Sequence, residues 1–98
     1  MCGLLFVTVR SSLIANFAPF FHPDGRRIIF ASNLQDRKGT FHLHLINDDG
    51  TGMEQVTLAG SFNSFPMFSP DGTKLVWVSD RNATTHGEFN IFVADWGP

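Results

Sequence analysis

One phrase is written twice in this chain. "FAPFFHPDGRRIIFASN", Phe17 to Asn33, returns as "FPMFSPDGTKLVWVSDRN", Phe65 to Asn82. Asn16, Pro19, Phe21, Pro23, Asp24, Gly25 and Ser32 recur, each 47 residues on, as Asn63, Pro66, Phe68, Pro70, Asp71, Gly72 and Ser79. The hydrophobics match in kind: Ile28, Ile29 and Phe30 become Leu75, Val76 and Trp77. A one-residue slip aligns "FHLHLIND" (Phe41 to Asp48) with "FNIFVADW" (Phe89 to Trp96), and "FVTVR" (Phe6 to Arg10) falls where "MEQVT" (Met53 to Thr57) stands before the second copy. A repeat of this length limits the fold strongly, because each copy must be one supersecondary unit that buries its apolar face against the next.

Each copy reads as strands. "HPDG" and "SPDG" are type I turn sequences, with Pro23 and Pro70 presetting φ at the second turn position and Asp24-Gly25 and Asp71-Gly72 suiting the last two. Proline also drives the preceding residue to extended geometry, so strands end at Phe21-His22 and Phe68-Ser69. "RRIIFAS" and "TKLVWVS" follow, rich in β-branched and aromatic residues. After polar loops, "NLQDRKG" and "DRNATTHG", come third strands. "NDDGTG" turns the first copy into a fourth strand, "MEQVTL". No stretch has helical periodicity. Four antiparallel strands over such a period read as a β-propeller blade. In "NIFVADW" both faces are apolar (Ile91 and Val93; Phe92 and Ala94), as a sheet sandwiched between neighbours requires. The expected fold is all-β, with antiparallel four-stranded propeller blades in two repeats, a partial propeller. Residues 1–15 are an orphan outer strand and linker, 16–58 the first blade, and 59–98 a second blade lacking its fourth strand.

"FPMFSPDGTKLVWVSDRN" and, nearly as closely, "FAPFFHPDGRRIIFASN" resemble the TolB-like propeller repeat, an aromatic-rich P-x-F-S-P-D-G followed by a strand ending S-D/N-R. "LINDDGTGMEQVT" resembles that family's second hairpin, and the likeness runs over residues 6 to 96. Two positions depart from it: His22 stands for serine and Leu34 for arginine in the first copy. The resemblance implies an extracytoplasmic, periplasmic protein that binds a protein or peptide partner. It also implies, as alternatives, the substrate-gating propeller of a prolyl-oligopeptidase-type peptidase or a structural self-assembling repeat.

The residues offer little chemistry of their own. Acids and bases are interspersed, with a net charge of −2, and no basic patch supports nucleic-acid binding. "MCGLLFV" is apolar but too short to span a bilayer, and it reads as a buried strand. One cysteine, Cys2, permits no internal disulfide. There is no nucleophile elbow, P-loop or dinucleotide fingerprint, so no catalytic residue and no cofactor are expected. His42 and His44 share a strand face, with His22 and His86 on loops. A closed zinc site needs four convergent ligands, and Asn90 and Phe92 replace both strand histidines in the second copy, so no metal is expected. The pair belongs instead on a half-wet or inter-blade face. "NDDGTG" reads as a turn rather than a calcium loop. Asn82-Ala83-Thr84 is a glycosylation sequon that chance explains equally well. Trp77 belongs to the core, and Trp96 suits an exposed contact. The singled-out residues are therefore the turn motifs Pro23, Asp24, Gly25, Pro70, Asp71 and Gly72. The unpaired strands at either side of the repeat also lead to an expectation: a head-to-tail homo-oligomer, in which "FVTVR" of one copy completes the second blade of another.

Overall fold

A computed structural model describes residues 14–35 and 39–97; the "FVTVR" strand expected at 6–10 lies outside them. The described chain forms two antiparallel sheets. The first has β1 (Asn16–Phe21), β2 (Arg27–Ser32), β3 (His42–Asn47) and β4 (Glu54–Gln55) in consecutive order. The second has β5 (Asn63–Phe68), β6 (Lys74–Ser79) and β7 (Asn90–Asp95). The fourth strand expected over "MEQVTL" is thus short: His44 pairs with Gln55 and Leu45 with Glu54, and Val56 N–H donates to the Leu43 carbonyl just beyond. The two sheets are successive blades of a partial propeller. No helix of the described residues is long and apolar enough to cross a membrane.

The repeat persists down to single hydrogen bonds. The hydroxyls of Ser32 and Ser79 accept from the backbone N–H of Leu34 and Arg81. The residue after each serine, Asn33 or Asp80, ties the end of the second strand of its blade to the approach to the first. Asn33 Oδ1 accepts from Ala15 N–H at 2.8 Å, and Asp80 Oδ1 from Phe62 N–H at 3.0 Å. A bulge repeats too. Register slips between Phe17 and Phe20 in β1 and between Ser64 and Met67 in β5, where Ala18 and Phe65 adopt φ of 56° and 54°. Left-handed backbone at a residue as bulky as phenylalanine is uncommon, and a bulge re-aims the side chains around it.

The blades meet through an apolar layer. Ile29, Ala31, Leu43 and Leu45 of the first pack with Phe68, Leu75 and Trp77 of the second, flanked by Phe17, Phe20, Val56, Phe92, Ala94 and Trp96. Trp96, expected to be exposed, is partly buried, its ring meeting Phe68 edge-on at 4.9 Å. A short parallel bridge joins Phe41 to Phe62. Asn63, fully buried, anchors that bridge: its Nδ2 donates to the carbonyls of Phe41 and Ala59, and its Oδ1 accepts from Trp77 Nε1 at 3.2 Å.

Of the half-wet and inter-blade placements expected for its strand face, burial of His44 rules out the half-wet one. His44 is 1% exposed, lies stacked at 5.8 Å on Phe30, and neither ring nitrogen has a hydrogen-bond partner. Burial, reinforced by His42, holds its pKa below the ordinary histidine value. Phe92 occupies the matching place in the second blade, tilted against Trp77 at 5.9 Å. A buried polar group without a partner costs about 1–3 kcal/mol, so His44→Phe is expected to stabilise the chain by about that amount. Protonation adds a signature. With the folded pKa depressed, the unfolded chain takes up the proton first, so the stability contributed by neutral His44 is present above pH 6.5 and is lost as pH falls below it. Thermal melts from pH 7.5 to 5 should show this slope in the native chain and a smaller one in His44→Phe. Equal slopes would refute the assignment.

Candidate functional site

The six turn residues singled out in the sequence lie at one end of the blades. Gly25 N–H donates to the His22 carbonyl and Gly72 N–H to that of Ser69, both at 2.8 Å, and the glycines take φ of 72° and 75°. Asp71 accepts from the Ser69 hydroxyl, the Thr73 N–H and the Thr73 hydroxyl, which hold its carboxyl at about 2. Asp24 lacks the serine partner because His22 stands there. The Arg26 N–H is its main stabiliser, with the Arg27 guanidinium and N–H adding to it, and its pKa is again about 2. Both carboxylates serve their own turns. The His22 ring meets Phe68 edge-on at 4.6 Å, and its far edge would lie 3.0 Å from a Cβ placed on Gly72. The departure at His22 thereby becomes a contact between one blade's turn and the next.

The opposite end carries the more open surface. Phe17, Phe41, Phe62, Phe65 and Phe89 form a continuous row across both blades, with neighbouring ring centroids 5.2 to 6.5 Å apart. Phe65 is 56% and Phe89 52% exposed. Beside the row lies a groove of about 660 Å³ whose walls include Phe62, Phe89, Asp80, Thr84, His86 and Glu88. The loop over 80–89 is held by Glu88, which accepts from Asn90 Nδ2, from the hydroxyl and N–H of Thr84, and from the Thr85 hydroxyl; these bonds keep its pKa at about 2. Asp80 is occupied in the same way by the N–H groups of Ser61 and Phe62 and by the Ser61 hydroxyl. Arg81 lies 5.6 Å from the Trp77 ring centre and 5.7 Å from that of Phe92, a cation–π arrangement that Leu34 cannot reproduce in the first blade.

The carboxylates of the groove are therefore engaged in holding its loop, and the wall mixes the rings of Phe62 and Phe89 with the polar side chains of Ser61, Thr84, Thr85 and His86. Sequence reading missed the row because its members come from four separate segments, with Phe62 and Phe65 sharing one. The available signal was the excess of phenylalanine, 11 residues, more than two small blades use in their core. Among the histidines, His42 Nδ1 lies 3.0 Å from Thr57 Oγ1, and His86 is on the groove wall, away from the strand pair. No cluster of three or more His, Cys, Asp or Glu side chains able to hold a metal occurs among the described residues.

Comparison with known proteins agrees with the fold. A TolB homologue of Chlorobium luteolum is 37% identical over 60 residues, covering 61% of this chain and 13% of that protein. An uncharacterised protein of Agrobacterium fabrum is 38% identical over 64 residues, covering 65% of this chain and 21% of its own length. A solved structure from Agrobacterium tumefaciens, assigned as TolB, superposes with a TM-score of 0.70 at 28% identity over 88% of this chain and 31% of that one. TolB from Acinetobacter baumannii gives 0.63 at 25% identity over 82% and 18%. The chain thus spans well under half the length of each of these relatives. No family model matches.

Proposed function

We propose that this chain, TolB-like in sequence and fold over a fraction of those proteins' length, is a non-catalytic β-propeller module that binds a protein or peptide segment along the Phe65–Phe62–Phe89 surface. The observation that carries the reading is Phe65. Its backbone is held left-handed by the bulge of β5, at a cost of about 1–3 kcal/mol, and its ring is 56% exposed. The result is a rigid aromatic patch beside an open groove, and large aromatics in such places are the usual anchors of recognition. An extended peptide with an apolar or aromatic side chain fits it. Asp80 and Glu88 accept from the protein's own neutral donors and keep their negative charge beside the patch.

Panning a phage-displayed peptide library against the chain tests this. Selected peptides should enrich apolar and aromatic residues, and Phe65→Ala or Phe89→Ala should each weaken binding about tenfold, roughly 1.4 kcal/mol. Failure to enrich binders, or binders indifferent to both substitutions, would reject the proposal.

A further inference from the structure

The groove beside the phenylalanine row holds charge that the blade itself does not need. Asp80 and Glu88 stand on its wall with Phe62 and Phe89. Glu88 accepts from Asn90, Thr84 and Thr85, and Asp80 from Ser61 and Phe62. All of these donors are neutral, so they steady the carboxylates without cancelling their charge. Glu88 titrates at about 2. Asp80 also lies below the usual carboxylate range, because burial, which opposes the shift, is outweighed by its Ser61 and Phe62 donors. Among the described residues no lysine or arginine lines the groove. Arg81, next to Asp80 in the chain, places its guanidinium over Trp77 and Phe92 instead. The pairs of Arg27 with Asp24 and Lys74 with Asp95 belong to the turn end of the blades.

The repeat shows that a blade can be closed without these charges. Asn33 fills the place of Asp80 in the first blade, and its neutral Oδ1 accepts from Ala15 N–H as Asp80 Oδ1 accepts from Phe62 N–H. Thr40 stands where Glu88 stands. The second blade therefore sets two like charges beside one cavity, where they repel, and a cation placed between them relieves that repulsion.

We infer that the peptide taken by this surface carries a lysine or arginine next to its apolar anchor, and that Asp80 and Glu88 read that basic side chain. The inference rests on the peptide-binding reading above and adds the chemistry of the ligand. A basic side chain matches both halves of the groove. Its methylene stem covers the Phe62 and Phe89 rings, whose faces also attract a cation. Its head meets the carboxylates. Asp80 Oδ2 and Glu88 Oε2 each take a single protein donor, which leaves each oxygen a lone pair for the ligand. An acidic residue in the same place would face two like charges, so the site also rejects acidic peptides.

Panning one random peptide library in parallel against the native chain and an Asp80→Asn, Glu88→Gln chain tests this. Native selections should enrich lysine and arginine beside the apolar residue. The double variant should keep the apolar enrichment and lose the basic one. In a binder from the native selection, exchange of the basic residue for glutamine should weaken binding about tenfold at about 50 mM salt and only about twofold at about 500 mM, where exposed charges are screened. Phe65→Ala should weaken the basic peptide and its glutamine form by the same factor, because it removes the anchor and leaves the charges. Apolar enrichment without a basic preference would overturn this inference and leave the peptide-binding reading standing; no enrichment at all would remove both. A basic preference that survives in the double variant, or that ignores salt, would also overturn it. Asparagine already serves at the matching place in the first blade, and glutamine keeps an oxygen for Thr84 and Thr85. The salt series on the native chain needs no substitution and decides the question where the double variant fails to fold.

Discussion

Gly72→Val is expected to lower the melting temperature much further than Gly25→Val, although the two glycines occupy matching turns with φ of 75° and 72°. Both substitutions force a β-branched residue into left-handed backbone, at about 1–3 kcal/mol. At Gly25 nothing lies within 4 Å of the new Cβ, so the penalty ends there. At Gly72 the Cβ would sit 3.0 Å from the His22 ring and 3.6 Å from Pro23 Cδ, in the contact between the blades. Overpacking there adds about 1–3 kcal/mol. At ~4–8 °C per kcal/mol for a domain of this size, the two variants should differ by at least about 5 °C, measured at one protein concentration. Removing the obstacle should recover part of the loss: the His22→Ser, Gly72→Val double variant should be more stable than the sum of its single changes predicts. Equal melting temperatures at the two glycines would show that the turns do not touch as described.

Asn63→Ala is the second substitution with a large expected effect. Asn63 is fully buried and satisfies three groups at once: the Trp77 indole N–H and the carbonyls of Phe41 and Ala59. Alanine leaves the buried indole N–H without this partner and removes the bond to the carbonyl of Ala59, an exposed residue that water can reach. At about 1–3 kcal/mol for the orphaned indole and about 1 kcal/mol for the other lost bonds, a loss of roughly 2–4 kcal/mol follows. Trp77→Phe removes only the indole donor and should cost about 1–3 kcal/mol. Because both substitutions break the same bond, their combined effect in a urea-unfolding cycle should fall short of additivity. Strict additivity would mean that Asn63 and Trp77 do not act as one unit.

The positions of the strands were readable in the residues themselves. Proline before Asp-Gly stops a strand and sets a turn, and β-branched runs such as "LVWV" fill the next one. The interval between copies marked a four-stranded unit, with the second copy lacking its fourth strand. These are local rules, decided by φ preferences and by which side chains suit a pleated surface, and neighbouring residues alone satisfy them.

Other features depend on residues far apart in the chain. The bulges at Ala18 and Phe65 were hidden because consecutive aromatic and apolar residues blur the alternation that reveals a register. His44 reads from its own strand as lying on a half-wet or inter-blade face; only the stacking on Phe30 and the loss of solvent make it a buried, unpartnered ring. His22 reads as a poor substitute for serine, yet its ring occupies the space that glycine leaves at position 72. The aromatic row exists only after five phenylalanines from two sheets converge. The sequence by itself determined the blades and their turns, since those rest on near-neighbour geometry. Which faces are covered, which polar groups lose their partners and which rings stand exposed were decided by how one blade lies on the next, because burial is a property of the assembled layers.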